Sequence, residues 1–556
     1  MRGVLAHALG CFGILLAVPA WAQTAPPETI ICPEPVPPVA GASCPQLRTI
    51  SVYDGSLAPA AYSTDRSASL SGNSISVLGD VPDLVLVCGA YNFADFEEVG
   101  GNEGNAVFIR GISGLSQILL YGGDSRNGNI TNNSVSIAYS EILDDAYIFG
   151  GNSYYGNVTG NSLDIADSGI SGTYFRGGNS YYGNVAGNSL SIADSEISGT
   201  HPYFFGGYSE VGDAMSNSVG IADTKISGNN PYIYGGYSSD GNVSNNSVSI
   251  ADTKISSNHP YFLGGYSDTG DTTNNSLSIA NSEISMDAPY FFGGYSHEGD
   301  ARNNSLSIAD SEILGERHRI LGGVSGSGNA TNNSVKLSGT LKLGIGSLMS
   351  GGNKTMAPPI LDCEADKDCF TGNTLSLDNY KRSEVTDFGT VGHFESYEFL
   401  LSADSQPLRA DTVRFTPANG VPAGAVSAVT SITLAPGYAP AVGTRIPLIC
   451  ACTFEGAIAN NGQSLSGSGH TFWLSQGANC IYATVDEIGS GDDSETTDCG
   501  SSNAETTGNK AETDPPDKPK KSSGCGCRAS GNSSVAELGF VLLWALLARL
   551  RRRNMA

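Results

Sequence analysis

An apolar residue stands two positions before each doubled glycine in the middle of the chain. The column reads Leu120, Ile148, Phe175, Phe204, Ile233, Phe262, Phe291, Ile320 and Met349. Its neighbours on either side admit Arg176 and Arg319. A position that is always apolar between positions that tolerate charge is period-two alternation, so each segment is predicted to be a strand with its central residue inward. A second strand follows the asparagines. Val135, Leu163, Leu190, Val219, Val248, Leu277, Leu306 and Val335 form one inward column, and Ile137 through Leu337 form another two residues on. Between these columns sit Ser136, Asp164, Ser191, Gly220 and Lys336, which must face water. A third inward position, from Ile142 to Ile313, marks a third, short strand. β-Branched and aromatic residues dominate, and no i, i+3, i+4 stripe competes.

The second glycines fall at 123, 151, 178, 207, 236, 265, 294, 323 and 352, in steps of 28, 27 and then six of 29. Such a period marks a solenoid, whose units bury their apolar faces only against their neighbours. With three short strands per unit, the predicted fold is all-β: a parallel β-solenoid of about nine or more coils. Coils about 4.8 Å apart make the rod on the order of 40 Å long. The doubled glycine is expected at a tight bend where a Cβ would clash or φ is positive. The asparagine run is expected at a turn, tolerating left-handed φ and bonding to its copies above and below.

Units such as "GGYSSDGNVSNNSVSI" (Gly235 to Ile250) resemble the repeats of bacterial autotransporter-type passenger domains, surface-displayed β-solenoids often described as adhesins. "GTVGHFESYEFLL" (Gly389 to Leu401) is similar to a segment that follows such repeats in that family. The resemblance covers about residues 70 to 455 and implies an adhesin-like surface for glycans or for proteins of a host or neighbouring cell.

The chain's ends complete the domain plan. Residues 1–22 read as a secretory signal, with Arg2, an apolar stretch from Leu9 to Val18, and Ala20-Trp21-Ala22 as the cleavage motif, so Ala22 is the expected processing point. Residues 23–70 form a Pro-rich segment and cap, 71–355 the repeats, and 356–485 a β-rich continuation with cysteines that either extends the rod or folds apart. Residues 486–523 have the Asp, Glu, Ser, Thr, Pro and Lys composition of a disordered acidic linker. Residues 524–556 join "SSGCGCRASG", a short hydrophobic helix over Leu538 to Ala548, and "RLRRR". This tail resembles MYXO-CTERM and Synergist-CTERM sorting signals. That resemblance implies processing and anchoring at Cys525 or Cys527 by a sorting protease, and display at the cell surface or outer membrane. The alternative is a plain membrane anchor. None of the 12 cysteines lies between Cys88 and Cys363. Export permits disulfides at the two ends of the stack, and Cys363 with Cys369 is the first pairing expected, because six residues close easily.

A net charge of −26 argues against a nucleic-acid partner, which needs clustered Lys and Arg. Asp167, Asp194, Asp223, Asp252 and Asp310 share one column and read as solvated turn residues rather than a calcium ladder, with Tyr139 and Asn281 interrupting them. The acidic loop Asp362, Glu364, Asp366 and Asp368 has Lys367 where a calcium loop has Gly. Neither a metal nor another cofactor is expected. Tyr208, Tyr237, Tyr266 and Tyr295 recur in the turn after the glycines, and Tyr203, Tyr232, Tyr261 and Tyr290 beside the core column. Such ladders stabilise a solenoid by stacking and also resemble platforms for sugar rings, making the first four candidate glycan contacts. Neither HExxH nor GxSxG occurs. Coils that repeat the same residues do not converge unlike groups in one cleft, so no catalysis is expected. The competing functions are a carbohydrate-active β-helix enzyme, lyase or hydrolase, and a passive surface coat.

Overall fold

Stacked copies of one strand satisfy one another's backbone groups, so identical residues fall into files along the stack. A computed structural model shows this arrangement. It describes residues 102–486 except 117, 287, 345, 355–368, 384–387 and 416–425, together with the backbone of short strands between Ile50 and Asn92. The described residues form no helix and build a parallel β-solenoid that ends in antiparallel strands. The signal and linker, the C-terminal tail and its expected helix, Ala22, Cys363, Cys525, Cys527 and the acidic loop lie outside the described residues.

One coil serves for all. Tyr203–Ser209 runs in a sheet that carries the glycine pair, here called the glycine sheet. Ala214–Met215 belongs to a narrow sheet of ten such two-residue strands. Ser218–Ala222 lies in the aliphatic sheet, and Lys225–Ser227 returns to the glycine sheet. From this coil the step to the next is parallel and in register on each wall: Phe204 pairs with Ile233, Val219 with Val248, Ile226 with Ile255. The files from Leu120 to Met349, Val135 to Val335 and Ile142 to Ile313 are buried in one continuous core, as their alternation predicts. Burying each such side chain contributes about 1.5 to 3 kcal/mol, against about 1 to 2 kcal/mol of backbone entropy per ordered residue. Only the stacked array meets that cost.

The asparagine run divides its work between neighbours. Asn245, Asn274, Asn303 and Asn332 take left-handed φ between 54° and 57°. The residue after each is buried and forms a ladder. Asn217 Nδ2 donates to Asn246 Oδ1 at 3.0 Å, Asn246 to Asn275 at 2.9 Å, and Asn275 to Asn304 at 3.0 Å. The Asn246 amide also donates to the carbonyl of Ala214 in the narrow sheet at 2.9 Å, tying two walls together.

Residues 374–455 continue both larger sheets, with Thr374–Arg382, Ser396–Leu401 and Ala428–Leu434 extending the aliphatic sheet in parallel. The rod therefore runs through most of the cysteine-containing region. It ends when Cys480–Asp486 returns antiparallel to Arg445–Glu455 and His470–Gln476. A disulfide from Cys450 to Cys480 pins that return. Cys369 is also disulfide-bonded, to a partner outside the described residues.

Candidate functional site

The strand Tyr203–Ser209 does not pass straight through its glycine pair. The ladder pairs Phe205 with Tyr234 and then Gly207 with Gly236, skipping the first glycine. Neither glycine has positive φ. What excludes a side chain is proximity, since a Cβ on Gly206 would lie 2.6 Å from the backbone nitrogen of Ser218. The glycine sheet is pressed against the opposite wall, and the columns before and after the pair lean towards one another on the outer face. The rings of Phe205 and Tyr208 approach to 5.4 Å at 74°.

Three outer files consequently bury one another. The first stacks Tyr174, Tyr203, Tyr232, Tyr261 and Tyr290 at centroid spacings of 4.6 to 5.1 Å. The second holds Phe205, Tyr234, Leu263, Phe292 and Leu321, all buried outside the main core. The third stacks the four expected glycan contacts. Tyr208 to Tyr237 is 4.8 Å, Tyr237 to Tyr266 is 5.1 Å and Tyr266 to Tyr295 is 5.0 Å. These four lie within the strand rather than in a turn after it. Each presses a ring face on the next, and only their edges approach the surface. The neighbours of the central column do point out of the core, but they are covered by this aromatic layer instead of by water.

Cations close both ends of the layer. The Arg176 guanidinium lies 3.9 Å from the Tyr208 ring centroid and 5.0 Å from those of Tyr174 and Phe205, and Arg319 lies 4.4 Å from that of Tyr290. Burial holds the phenols of Tyr208, Tyr234 and Tyr266 well above their ordinary range.

The hydroxyls of the third file point to a row that differs from coil to coil. Tyr208 donates to Glu210 at 2.6 Å, Tyr237 lies 3.2 Å from the Ser239 hydroxyl, Tyr266 donates to Asp268 at 2.7 Å, and Tyr295 meets His297 Nδ1 at 3.3 Å. Asp268 also accepts from Tyr237 at 3.5 Å. Its burial raises the carboxyl pKa, against the opposing pull of the Tyr266 hydroxyl and His297. On the two preceding coils the same row holds Tyr154 and Tyr181, stacked at 5.0 Å. Beside them Tyr155 and Tyr182 stack at 5.1 Å while remaining 49% and 45% exposed, and Val211 on the next coil is 38% exposed.

Sequence reasoning missed these exposed rings and the unlike row. The signal that would have found them is the column three residues after the second glycine, where the repeat changes chemistry. The Asp167 to Asp310 column behaves as expected of turn residues: all five are exposed and left-handed, with φ of 42° to 49°. Among the described residues no three His, Cys, Asp or Glu side chains group to hold a metal ion. No family model matches the chain, and no curated protein matches it.

Proposed function

We propose that this chain is an exported, surface-displayed β-solenoid that binds its ligand through the outer aromatic face of the glycine sheet, in the manner of an adhesin. The observation that carries the reading is the exposed pair Tyr155 and Tyr182 beside the head of a row ending in His297. Core packing demands none of these side chains, and exposed aromatics bordered by polar groups are characteristic of binding surfaces. Export is supported by the signal-like residues 1–22 and by the Cys450–Cys480 disulfide, which suits an oxidising compartment. Anchoring is supported by the resemblance of residues 524–556 to bacterial sorting tails. Passenger-type repeats belong to the same picture.

The test has two arms. Proteinase shaving of intact cells releases the chain if it is displayed, and retention in the cytosol rejects display. Purified full chain is applied to cell surfaces and a glycan array beside a Tyr155→Ser/Tyr182→Ser variant. Binding that the variant loses supports an adhesin-like role. No binding by either protein leaves the passive coat.

A further inference from the structure

Packing explains why the inner files repeat, and the stripe three and four residues after each glycine pair is free of that constraint. Its backbone remains in register. Val211 N donates to Tyr181 O at 3.0 Å, Asp240 N to Glu210 O at 3.0 Å, Thr269 N to Ser239 O at 3.1 Å and Glu298 N to Asp268 O at 2.9 Å. Successive side chains of the stripe are therefore set one coil rise apart. Tyr155 and Tyr182 occupy the first two coils, and Glu210, Asp240, Asp268 and Glu298 the next four. Neither Lys nor Arg stands in the stripe between Tyr154 and Glu298, and His297 is its one basic side chain.

The two halves ask for different parts of one ligand. Tyr155 stands at 84° to Tyr154, and Tyr182 at 66° to Tyr181, so the rings form a herringbone that leaves the outer pair accessible. Tyr155 and Tyr182 press one face on each other at 5.1 Å and 7°, so their exposed outer edges are what the C–H groups of a pyranose can meet. Two of the carboxylates that follow accept from tyrosines beneath them, so half-buried Glu210 and Asp268 are oriented by Tyr208 and Tyr266. A row of oriented carboxylates selects positive charge, through charge-assisted hydrogen bonds to ammonium groups. The chain's net charge of −26 works in the same direction, repelling polyanionic polymers.

We infer that this stripe binds a linear, amine-bearing glycan lying along the rod axis, with sugar C–H groups against the exposed edges of Tyr155 and Tyr182 and ammonium groups at Glu210 and Asp268. The inference rests on the adhesin-like reading and deepens it by naming the ligand class. A sugar unit and a coil advance by similar lengths, so one straight chain can meet both halves of the stripe.

The test is calorimetric titration of the full chain with β-linked glucosamine hexamer, its fully N-acetylated counterpart, and hexalysine. The expected result is binding of the glucosamine hexamer roughly tenfold or more tighter than of the acetylated one, because acetylation removes the charge that the carboxylates recognise. Glu210→Gln/Asp268→Asn is expected to abolish that preference. Tyr155→Ser/Tyr182→Ser is expected to weaken both sugars alike. Circular dichroism checks that each variant is folded. Equal binding of the two sugars, indifference to the carboxylate variant, or hexalysine binding that ignores the tyrosine variant would overturn the inference. Binding of the acetylated hexamer alone would overturn it and leave the adhesin-like reading standing. Failure to bind any glycan or cell surface would remove both.

Discussion

Gly207 and Asn217 meet across the interior so closely that a Cβ on the glycine would lie 2.5 Å from the asparagine Nδ2. The two residues belong to opposite walls of one coil, and their contact sets the pinch that throws the outer tyrosines together. Gly207→Ala must displace an amide that also bonds Asn246, and is expected to cost about 2 kcal/mol or more, as overpacking does. Gly220 is the control, because nothing lies within 4 Å of its Cβ position and its φ is ordinary. Gly220→Ala is expected to be neutral or stabilising by about 0.5 kcal/mol. Urea unfolding of the two variants checks the contrast.

The tyrosine layer predicts an alkaline transition. The phenols of Tyr203, Tyr237, Tyr261 and Tyr295 are all held above their ordinary value, chiefly by burial. The folded state therefore keeps protons that the unfolded chain releases at about pH 10. Stability is fully present below that pH and is lost as pH climbs towards the folded values. Spectrophotometric titration should show these phenols ionising together with loss of the β-sheet signal. Smooth ionisation with the fold intact would contradict the burial.

Asp268 follows the same arithmetic at the acid end. Its carboxyl is also raised, so the folded state holds its proton more tightly than the unfolded one, and stability falls as pH rises through the ordinary carboxylate range. Asp268→Asn removes this penalty while keeping an acceptor for Tyr266. The variant is expected to melt above the native chain at pH 7, with the gap closing below about pH 4. Thermal melts at the two pH values decide it.

The end of the rod depends on Cys450–Cys480, which closes a segment of sequence separation 30. Cys480→Ser is expected to cost about 3 kcal/mol by the chain-entropy account. Hydrogen exchange should then rise in the antiparallel strands His470–Gln476 and Cys480–Asp486 before it rises in the coils around Phe204.

How much of this was legible in the chain follows from what alternation reports. The inward files, the period and the solenoid could be read, because side-chain parity along a strand is a local property. Parity assigned the Phe205 column to the outer side correctly but could not tell that this side is covered, nor that Tyr208, expected in a turn, lies in the same strand and on the same side, since the inclination at Gly206-Gly207 exists only once the opposite wall is in place. The bend at the pair was anticipated with two alternative causes, and the structure selects the Cβ clash over positive φ. The narrow sheet escaped notice because its strands have two residues and its inner file mixes Val243, Thr272 and Ala301. The Cys450–Cys480 bond joins residues that meet through an antiparallel return, and spacing alone favours shorter closures such as Cys363 with Cys369. The unlike row was hidden by the repeat itself, which draws the eye to identical positions while Glu210, Ser239, Asp268 and His297 lie in a column that varies.

The most direct measurement is surface plasmon resonance of the full native chain, and of its folded Tyr155→Ser/Tyr182→Ser variant, over immobilised glycans and whole-cell surfaces. The account predicts saturable binding by the native chain to at least one surface, weakened roughly tenfold or more in the variant, as loss of stacked aromatic anchors implies. Identical binding by both proteins, or none by either, would contradict it.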